Sequence, residues 1–363
     1  MYDSCIIMQP HITNVTSDAD MLKFTLSGVN VSVANAIRRT IISDISSYVF
    51  RTAPYEANKA NIIVNTSRFN NEIVKQRLSC IPIHIKVAPE FPHANYQLEL
   101  NVTNDGASVM YVTTNDFVVR DKQLNKIVDD KTIFPANEYG QYIDFIRLRP
   151  RMSDEVPGEQ IHLTCEFDVG TGKQDGAFTA VSTCAYGNTV DVKAQEVALA
   201  KKRQEWKDEG KDVAFETKDW LLLDGKRFYK QDSFDFVVQT VGVYSNQELF
   251  DRACEALMDR LEFDETRMIV GSSPTTMANS YDILLKNDDY TVGKLVECML
   301  YDKYFVTKTM TFCGFRKAHP HDDDSVIRVA YLAPTAEAVV KEHLTEAIND
   351  AKQVVKKIRS AMK

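Results

Sequence analysis

The chain has 363 residues, of which 44% are hydrophobic and 26% are charged, and its formal net charge is −8. This balance is typical of a globular protein with a sizeable core, and the length allows two or three domains. The sequence contains no run of about 18 apolar residues and no secretory signal pattern, so we expect no membrane span. A protein that grips a phosphate backbone by itself usually has a basic excess, so any link to DNA is expected to be indirect.

The cysteines are scattered and lack any CxxC pair, which disfavours a zinc knuckle. An odd, dispersed set is typical of reduced thiols in an intracellular compartment. The positions are Cys5, Cys80, Cys165, Cys184, Cys254, Cys298 and Cys313.

The first predicted elements are a strand over 21–26 and a helix that begins at Val33, with Ser32 as its N-cap. Arg38 and Arg39 lie in the middle of this helix and cannot both lie on its buried stripe. The stripe consists of apolar residues at helical spacing: Ala34, Ile37, Ile41 and Ile45.

Residues 52–187 alternate short apolar stretches with Pro, Gly, Asn and Asp, which predicts a mainly β domain with frequent turns. The polar segment 191–212 is predicted to be an exposed helix or a connector. Its basic run at 201–203 adjoins acidic residues, which favours a solvated face over nucleic-acid binding.

A capping box at 245–248 precedes an amphipathic helix predicted over 249–261. The small, polar segment 271–280 is predicted to be a linker. Residues 281–363 then read as a strand–helix–strand–strand–helix unit.

The last predicted helix has apolar residues at spacings typical of a helix–helix seam. We expect it to pack against a second helical element, the alternative being its own sheet. The seam positions are Val340, Leu344, Ala347, Ala351, Val354 and Ile358.

Two parts of the chain resemble two different members of one family. The segment 29–45, in which Asn35 precedes Arg38 and Arg39, resembles the signature helix of the bacterial alpha subunit and of the third subunit of eukaryotic RNA polymerase. Further segments similar to these subunits are 77–83, 169–173 with 177–178, and 234–242.

The segment 289–296 is similar to the histidine-threonine-leucine-glycine-asparagine-leucine motif of the small partner subunit, the eleventh subunit in eukaryotes. Thr291, Gly293 and Leu295 occupy motif positions, whereas Tyr290 replaces the usual histidine. The stretch 312–320 resembles the glycine-tyrosine…histidine-proline stretch of the same subunit.

The resemblance implies an α+β fold in which two alpha-subunit-type dimerisation domains form an intramolecular pseudo-dimer, with a β-rich domain inserted in the first. The expected third-subunit-like domain is 1–51 with 188–270, the inserted domain is 52–187, the linker is 271–280, and the eleventh-subunit-like domain is 281–363.

The resemblance also implies a non-catalytic platform that nucleates and holds the two largest polymerase subunits, with smaller polymerase subunits as further partners. It implies contact with DNA only through the complex, no membrane and no cofactor. The residues expected at subunit interfaces are Asn35, Arg38, Arg39, Thr291, Gly293, Leu295, Val340, Leu344, Ala347 and Val354.

The fused arrangement looks like that of large nucleocytoplasmic DNA viruses, so we expect a viral protein. Its expected location is intracellular, in the virion or in the host cytoplasm or nucleus.

Other binding chemistries are weakly supported. The third subunit carries a cysteine-based zinc site, but Cys80, Cys165 and Cys184 have the wrong spacing, so we expect no zinc. Residues 170–173 lack the flanking residues of a phosphate loop. The stretch 319–324, with two histidines and three aspartates, is interpreted as a hydrated loop rather than a metal site.

Two hypotheses of different classes therefore remain: an assembly scaffold, and a stand-alone enzyme or nucleic-acid binder that uses the β-rich middle domain. A generic dimerisation protein is a third. The acidic charge and the lack of a recognised catalytic motif favour the scaffold.

Overall fold

The structure, a computed structural model, describes residues 8–18, 21–128, 130–153, 155–262, 264–274 and 277–362. The strands, in chain order, are β1 His11–Asp18, β2 Met21–Ser27, β3 Ser46–Val49, β4 Ala60–Asn65, β5 Tyr96–Thr103, β6 Met110–Thr113, β7 Val118–Asp121, β8 Lys126–Val128, β9 Asp144–Leu148, β10 Gln160–Glu166, β11 Asp168–Thr171, β12 Val181–Val190, β13 Tyr229–Thr240, β14 Met268–Ser272, β15 Ser280–Leu285, β16 Met310–Arg316 and β17 Ser325–Tyr331.

The α-helices are α1 Val31–Ser43, α2 Asn71–Ser79, α3 Val192–Asp208, α4 Val213–Leu222, α5 Asn246–Arg260, α6 Tyr290–Leu300 and α7 Glu337–Ala361. A π-helical turn, Tyr301–Phe305, follows α6 directly. Among the helices described, none is long and apolar enough to cross a membrane.

The chain divides into two compact units. The paired unit comprises the described parts of 1–41, 183–239 and 246–363, and the inserted unit comprises 42–182 and 240–245. The limits of the inserted unit differ from those of the predicted insert, 52–187. β3 belongs to the inserted unit because it pairs with β11, whereas most of β12 lies in the first sheet of the paired unit.

The first half of the paired unit is a four-stranded sheet in the order β1-β2-β13-β12, with α1 after β2 and α5 after β13. Aromatic stacking fixes α5 on this sheet: the Phe24 and Phe236 rings lie 5.0 Å apart, and the Phe250 ring meets Phe24 edge-on at 5.3 Å. All three side chains are buried, so their apolar area drives this packing.

The second half repeats the same topology. Its sheet has the order β14-β15-β17-β16, with α6 after β15 and α7 after β17. Each strand and helix therefore has a counterpart at the same place in the first half. The α+β pseudo-dimer predicted from the sequence is confirmed.

The final helix α7 packs against α6 of its own half and against α5 of the first half. The predicted helix–helix seam is thus confirmed. Its apolar stripe is buried along the full length of the helix, at Val340, Leu344, Ala347, Ile348, Ala351, Val354, Val355 and Ile358.

The predicted linker 271–280 is wrong at both ends. Gly271 and Ser272 end β14, and Ser280 begins β15, with which β14 pairs antiparallel. β14 and β15 therefore form a β-hairpin inside the second half. The two halves are instead joined after α5, by the segment 261–267.

The polar segment 191–212 contains α3 rather than a connector. Together with α4, which the sequence did not predict, it forms a helical hairpin with its own small core of Leu199, Trp206 and Trp220. The basic run is exposed, and Lys202 pairs with Glu205 on the same helix at 2.7 Å. This agrees with a solvated face.

The inserted unit is β-rich, as predicted. A five-stranded sheet in the order β4-β10-β5-β7-β8 is accompanied by the pairs β11-β3 and β6-β9 and by α2. Its glycine-rich segment has a structural role, because a Cβ at Gly170 would lie 2.7 Å from the Phe178 ring and one at Gly172 would lie 2.4 Å from the Ile42 carbonyl oxygen. Close packing accounts for both glycines without a phosphate.

Candidate subunit interface

The signature helix α1 begins two residues earlier than predicted. Asn30, not Ser32, is its cap, because the Asn30 Oδ1 accepts a hydrogen bond of 2.8 Å from the Ser32 backbone N–H. The buried face includes Val33 and Ile37. This start places Ser32 in the first turn, where its side chain is available for another contact.

The two arginines of the motif have different partners. Arg38 donates to Asn35 Oδ1 of its own helix, at 3.1 Å from Nε and 3.0 Å from Nη2. Arg39 reaches the second half: its Nε donates to Thr291 Oγ1 at 2.8 Å, and its Nη2 donates to Asp289 Oδ2 at 2.7 Å. The second arginine therefore ties α1 to the N-terminus of α6.

The turn before α6 carries two adjacent carboxylates. Asp289 caps the helix by accepting from the Thr291 N–H at 2.9 Å. Asp288 is only 2% exposed and accepts from Arg260 of α5 at 2.6 Å and from Arg267 at 3.0 Å. A buried carboxylate is tolerated only when it is paired in this way.

Asp289 is held in its ionised form. Burial acts to raise its pKa, but hydrogen bonds from the backbone and side chain of Thr291 and the charges of Arg39 and Arg260 outweigh burial. The pKa falls from 3.8 to about 2. Asp289 therefore stays negative and available to Arg39 at neutral pH.

A reciprocal contact joins the other ends of the same helices. The Cys298 thiol of α6 donates a hydrogen bond of 3.7 Å to Asp302. It also lies beside the Ser32 side chain of α1, which acts to lower the pKa of the thiol. Burial, first of all, and the neighbouring Asp302 raise the pKa of this thiol to about 12, so it is neutral at physiological pH.

Charged residues also join α5 and α7. Arg359 donates to Asp251 at 2.5 and 2.7 Å and also to Glu255, and Lys352 pairs with Glu262 at 2.6 Å. These pairs flank the buried stripe of α7. They align the two helices lengthwise, while the apolar stripe supplies the buried area.

The residues predicted at interfaces lie in several different environments. Asn35, Arg38, Arg39 and Thr291 are placed as described above. Gly293 packs under Phe315, because a Cβ there would lie 2.0 Å from the Phe315 ring. The side chains of five others are buried within the chain: Leu295, Val340, Leu344, Ala347 and Val354. Their role toward other subunits stays a prediction.

Several charged residues of the seam were not predicted from the sequence. Asp288, Arg260 and Arg359 have no local pattern that marks them, since their partners lie far away in the chain. One signal was available for Asp289. The start of α6, Asp-Tyr-Thr-Val-Gly, repeats the start of α1, Asn-Val-Ser-Val-Ala, and aligns Asp289 with the cap Asn30.

The histidine–aspartate stretch at 319–324 lies in the loop between β16 and β17. The His319 and His321 rings meet edge-on at 4.9 Å, and both residues are exposed. Within the described ranges, no group of three His, Cys, Asp or Glu residues is arranged to hold a metal ion.

Comparison with known proteins assigns the chain to a family through its first half. The model of the RNA polymerase Rpb3/Rpb11 dimerisation domain matches residues 23–261, more than half of the chain. The chain therefore belongs to this family, as the resemblance of the first half predicted. Residues 281–363 lie outside the match, so their likeness to the small partner subunit stays a prediction.

Relatives include an RNA polymerase subunit from a cellular eukaryote, the DNA-directed RNA polymerases I and III subunit rpac1 of Dictyostelium discoideum. It is 25% identical over 70% of this chain and 80% of its own length. The conjugation stage-specific protein of Tetrahymena thermophila is 21% identical over 66% of this chain and 89% of its own length. The archaeal subunit Rpo3 of Picrophilus torridus is 23% identical over 46% of this chain and 59% of its own length.

Proposed function

We propose that this chain is the assembly platform of a multisubunit DNA-directed RNA polymerase, with a third-subunit-like first half and an eleventh-subunit-like second half in one polypeptide. It holds the two largest subunits, and smaller subunits of the polymerase join the same complex. Nucleotide addition takes place elsewhere in the complex, and DNA reaches this chain only through its partners.

The observation that carries the proposal is the repeated topology. Two halves with the same strand order and the same helix positions are paired by α7 and by the Arg39–Asp289 contact. The family match supplies the link to RNA polymerase for the first half. A joined pair also has an effective concentration on the order of millimolar for a short connector, so the platform persists at low protein concentration.

Arg38 is our candidate contact to a large subunit. Its guanidinium is oriented by Asn35 of the same turn, and the residue is partly exposed. A planar, pre-oriented guanidinium suits a carboxylate or backbone carbonyl on a partner. Arg39 is less suited, because it already binds Asp289 and Thr291.

The test is affinity capture of the tagged chain from its native source, read by mass spectrometry. We expect two very large subunits in amounts roughly equal to the chain. Arg38→Ala should lower their recovery about tenfold, the loss of one interface anchor. Arg203→Ala, at an exposed arginine of α3, is the matched control and should change nothing.

Undiminished recovery with Arg38→Ala removes that residue from the interface. Recovery of the folded chain alone, without large subunits, contradicts the platform and favours an independent enzyme or binding protein. Replacing both arginines together is less informative, because loss of Arg39 also leaves Asp289 without that partner.

We also propose that the protein is intracellular and comes from a large nucleocytoplasmic DNA virus. This origin is supported by the two subunit signatures that share one chain. Detection of the chain in purified virions, or its expression only after infection, would test this origin.

A further inference from the structure

The two helices at the centre of the paired unit begin in the same way. Asn30 caps α1 through the Ser32 N–H at 2.8 Å, and Asp289 caps α6 through the Thr291 N–H at 2.9 Å. Arg39 lies as many residues after the cap of α1 as Cys298 lies after the cap of α6, so the two residues are equivalent.

These equivalent positions meet across the seam. Arg39 contacts Asp289 and Thr291, while Cys298 contacts Ser32, so each helix places this residue against the first turn of the other. An approximate twofold rotation therefore relates the first half to the second. One of the two equivalent contacts is an ion pair and the other is neutral.

Self-pairing of identical halves would produce different contacts. If two first halves paired through the same faces, each Arg39 would meet the first turn of α1, which carries Asn30 and no carboxylate. If two second halves paired, each Asp289 would meet the neutral Cys298. The mixed pair is the arrangement that brings Arg39 and Asp289 together.

A second carboxylate, that of Asp288, also favours the mixed pair. Asp288 is 2% exposed and receives Arg260 from α5 of the first half. Its counterpart in the first half, one residue before the cap, is the buried apolar Val29. If two second halves paired, Asp288 would lose its contact with Arg260. Its hydrogen bond from Arg267, which belongs to the second half, would remain. A buried carboxylate that loses a partner is strongly disfavoured.

We propose that Arg39, supported by Arg260, is the residue that makes the pairing specific for one first half with one second half. The apolar core supplies most of the buried area, and the strand order, which both halves share, does not distinguish one partner from the other. The charges on the seam discriminate between partners by leaving unpaired charge in the wrong ones. This role concerns the pairing itself and does not depend on any polymerase subunit.

The test uses the full chain with Ser32→Cys, which places a thiol beside Cys298. Mild oxidation should give a disulfide within one chain, seen as a monomer on a non-reducing gel and located by peptide mass spectrometry. Into this background we introduce Arg39→Asp in one chain and Asp289→Arg in another. Each change alone puts like charges across the seam.

Mixing these two variants during refolding is the decisive step. Partner exchange between the two chains restores both opposite-charge pairs, so disulfide-linked dimers should rise about fivefold above either variant alone, as expected for one partly buried ion pair. The double variant Arg39→Asp with Asp289→Arg should return to the monomeric disulfide. Arg38→Asp, beside the motif arginine, is the control and should keep the disulfide within one chain.

Equal dimer fractions in the mixture and in the separate variants would overturn the proposal. So would an Arg39→Asp chain that behaves like the Arg38→Asp control. If a single variant does not fold by itself, the mixture still decides, because only the mixture restores both pairs. The assay contains no polymerase subunits, so its failure leaves the platform function untouched, and loss of subunit capture leaves this pairing role untouched.

Discussion

Arg38 and Arg39 are adjacent in sequence, yet the helix turns their side chains toward different partners. Successive residues of an α-helix point about 100° apart, so one guanidinium stays with Asn35 and the other reaches Asp289. The motif therefore combines a residue that joins the two halves with a residue that is oriented by its own helix. Their chemistry is identical and their environments are not.

Asp289 predicts an acid-sensitive contribution to stability. Its pKa in the folded chain is about 2, below its ordinary value of 3.8. The ionised carboxylate therefore stabilises the fold fully above about pH 4 and loses this effect as the pH falls through about 2. Asp289→Asn, which can still cap α6, should lower the free energy of unfolding by about 1–2 kcal/mol at pH 6.

Denaturant unfolding across this pH range measures that difference. The gap between wild type and Asp289→Asn should close as the pH approaches 2. A gap that is independent of pH would show that the charge of Asp289 is not what stabilises the seam.

Gly293 predicts a reversal of the usual helix rule. Glycine to alanine inside a helix normally stabilises by about 0.5–1 kcal/mol. Here the new Cβ would lie 2.0 Å from the Phe315 ring. Gly293→Ala should therefore destabilise the chain by about 1–3 kcal/mol, the cost of overpacking.

Thermal unfolding compares this variant with Gly271→Ala. Gly271 lies in β14 of the same half, with no atom within 4 Å of its Cβ position, so its change should cost little. Stabilisation by Gly293→Ala would mean that Phe315 moves aside freely.

At the scale of elements, α7 shows how far a local pattern can be trusted. The apolar spacing predicted a seam, and all of its predicted positions are buried. The pattern did not show that α5 and α6 would cover it, because spacing along one helix carries no information about the partner. Conversely, β1 was missed because most of its residues are exposed and show no in–out alternation.

Leu344 tests the seam of α7 energetically. Leu344→Ala removes a fully buried side chain and should cost about 3–5 kcal/mol in unfolding free energy, transfer and cavity together. Val339→Ala, on the exposed face of the same helix, should stay within about 0.5 kcal/mol. Similar losses for both variants would contradict the burial pattern.

At the scale of the whole molecule, one topology occurs twice and a β-rich unit is inserted into the first copy. The shared order of the two sheets lets one half act as the dimerisation partner of the other. The connector 261–267 is short, so the halves meet at high effective concentration.

The sequence by itself determined the fold class, the β texture of the insert, the seam of α7 and the motif around Arg38 and Arg39. These features depend on local periodicities of two or 3.6 residues and on short motifs, which involve residues close together in the sequence. Only the tertiary structure decided that both ends of the supposed linker belong to paired strands and that Asp289 meets Arg39. Asp289 and Arg39 are separated by 250 positions. Such contacts depend on the packing of both halves, and no local pattern encodes them.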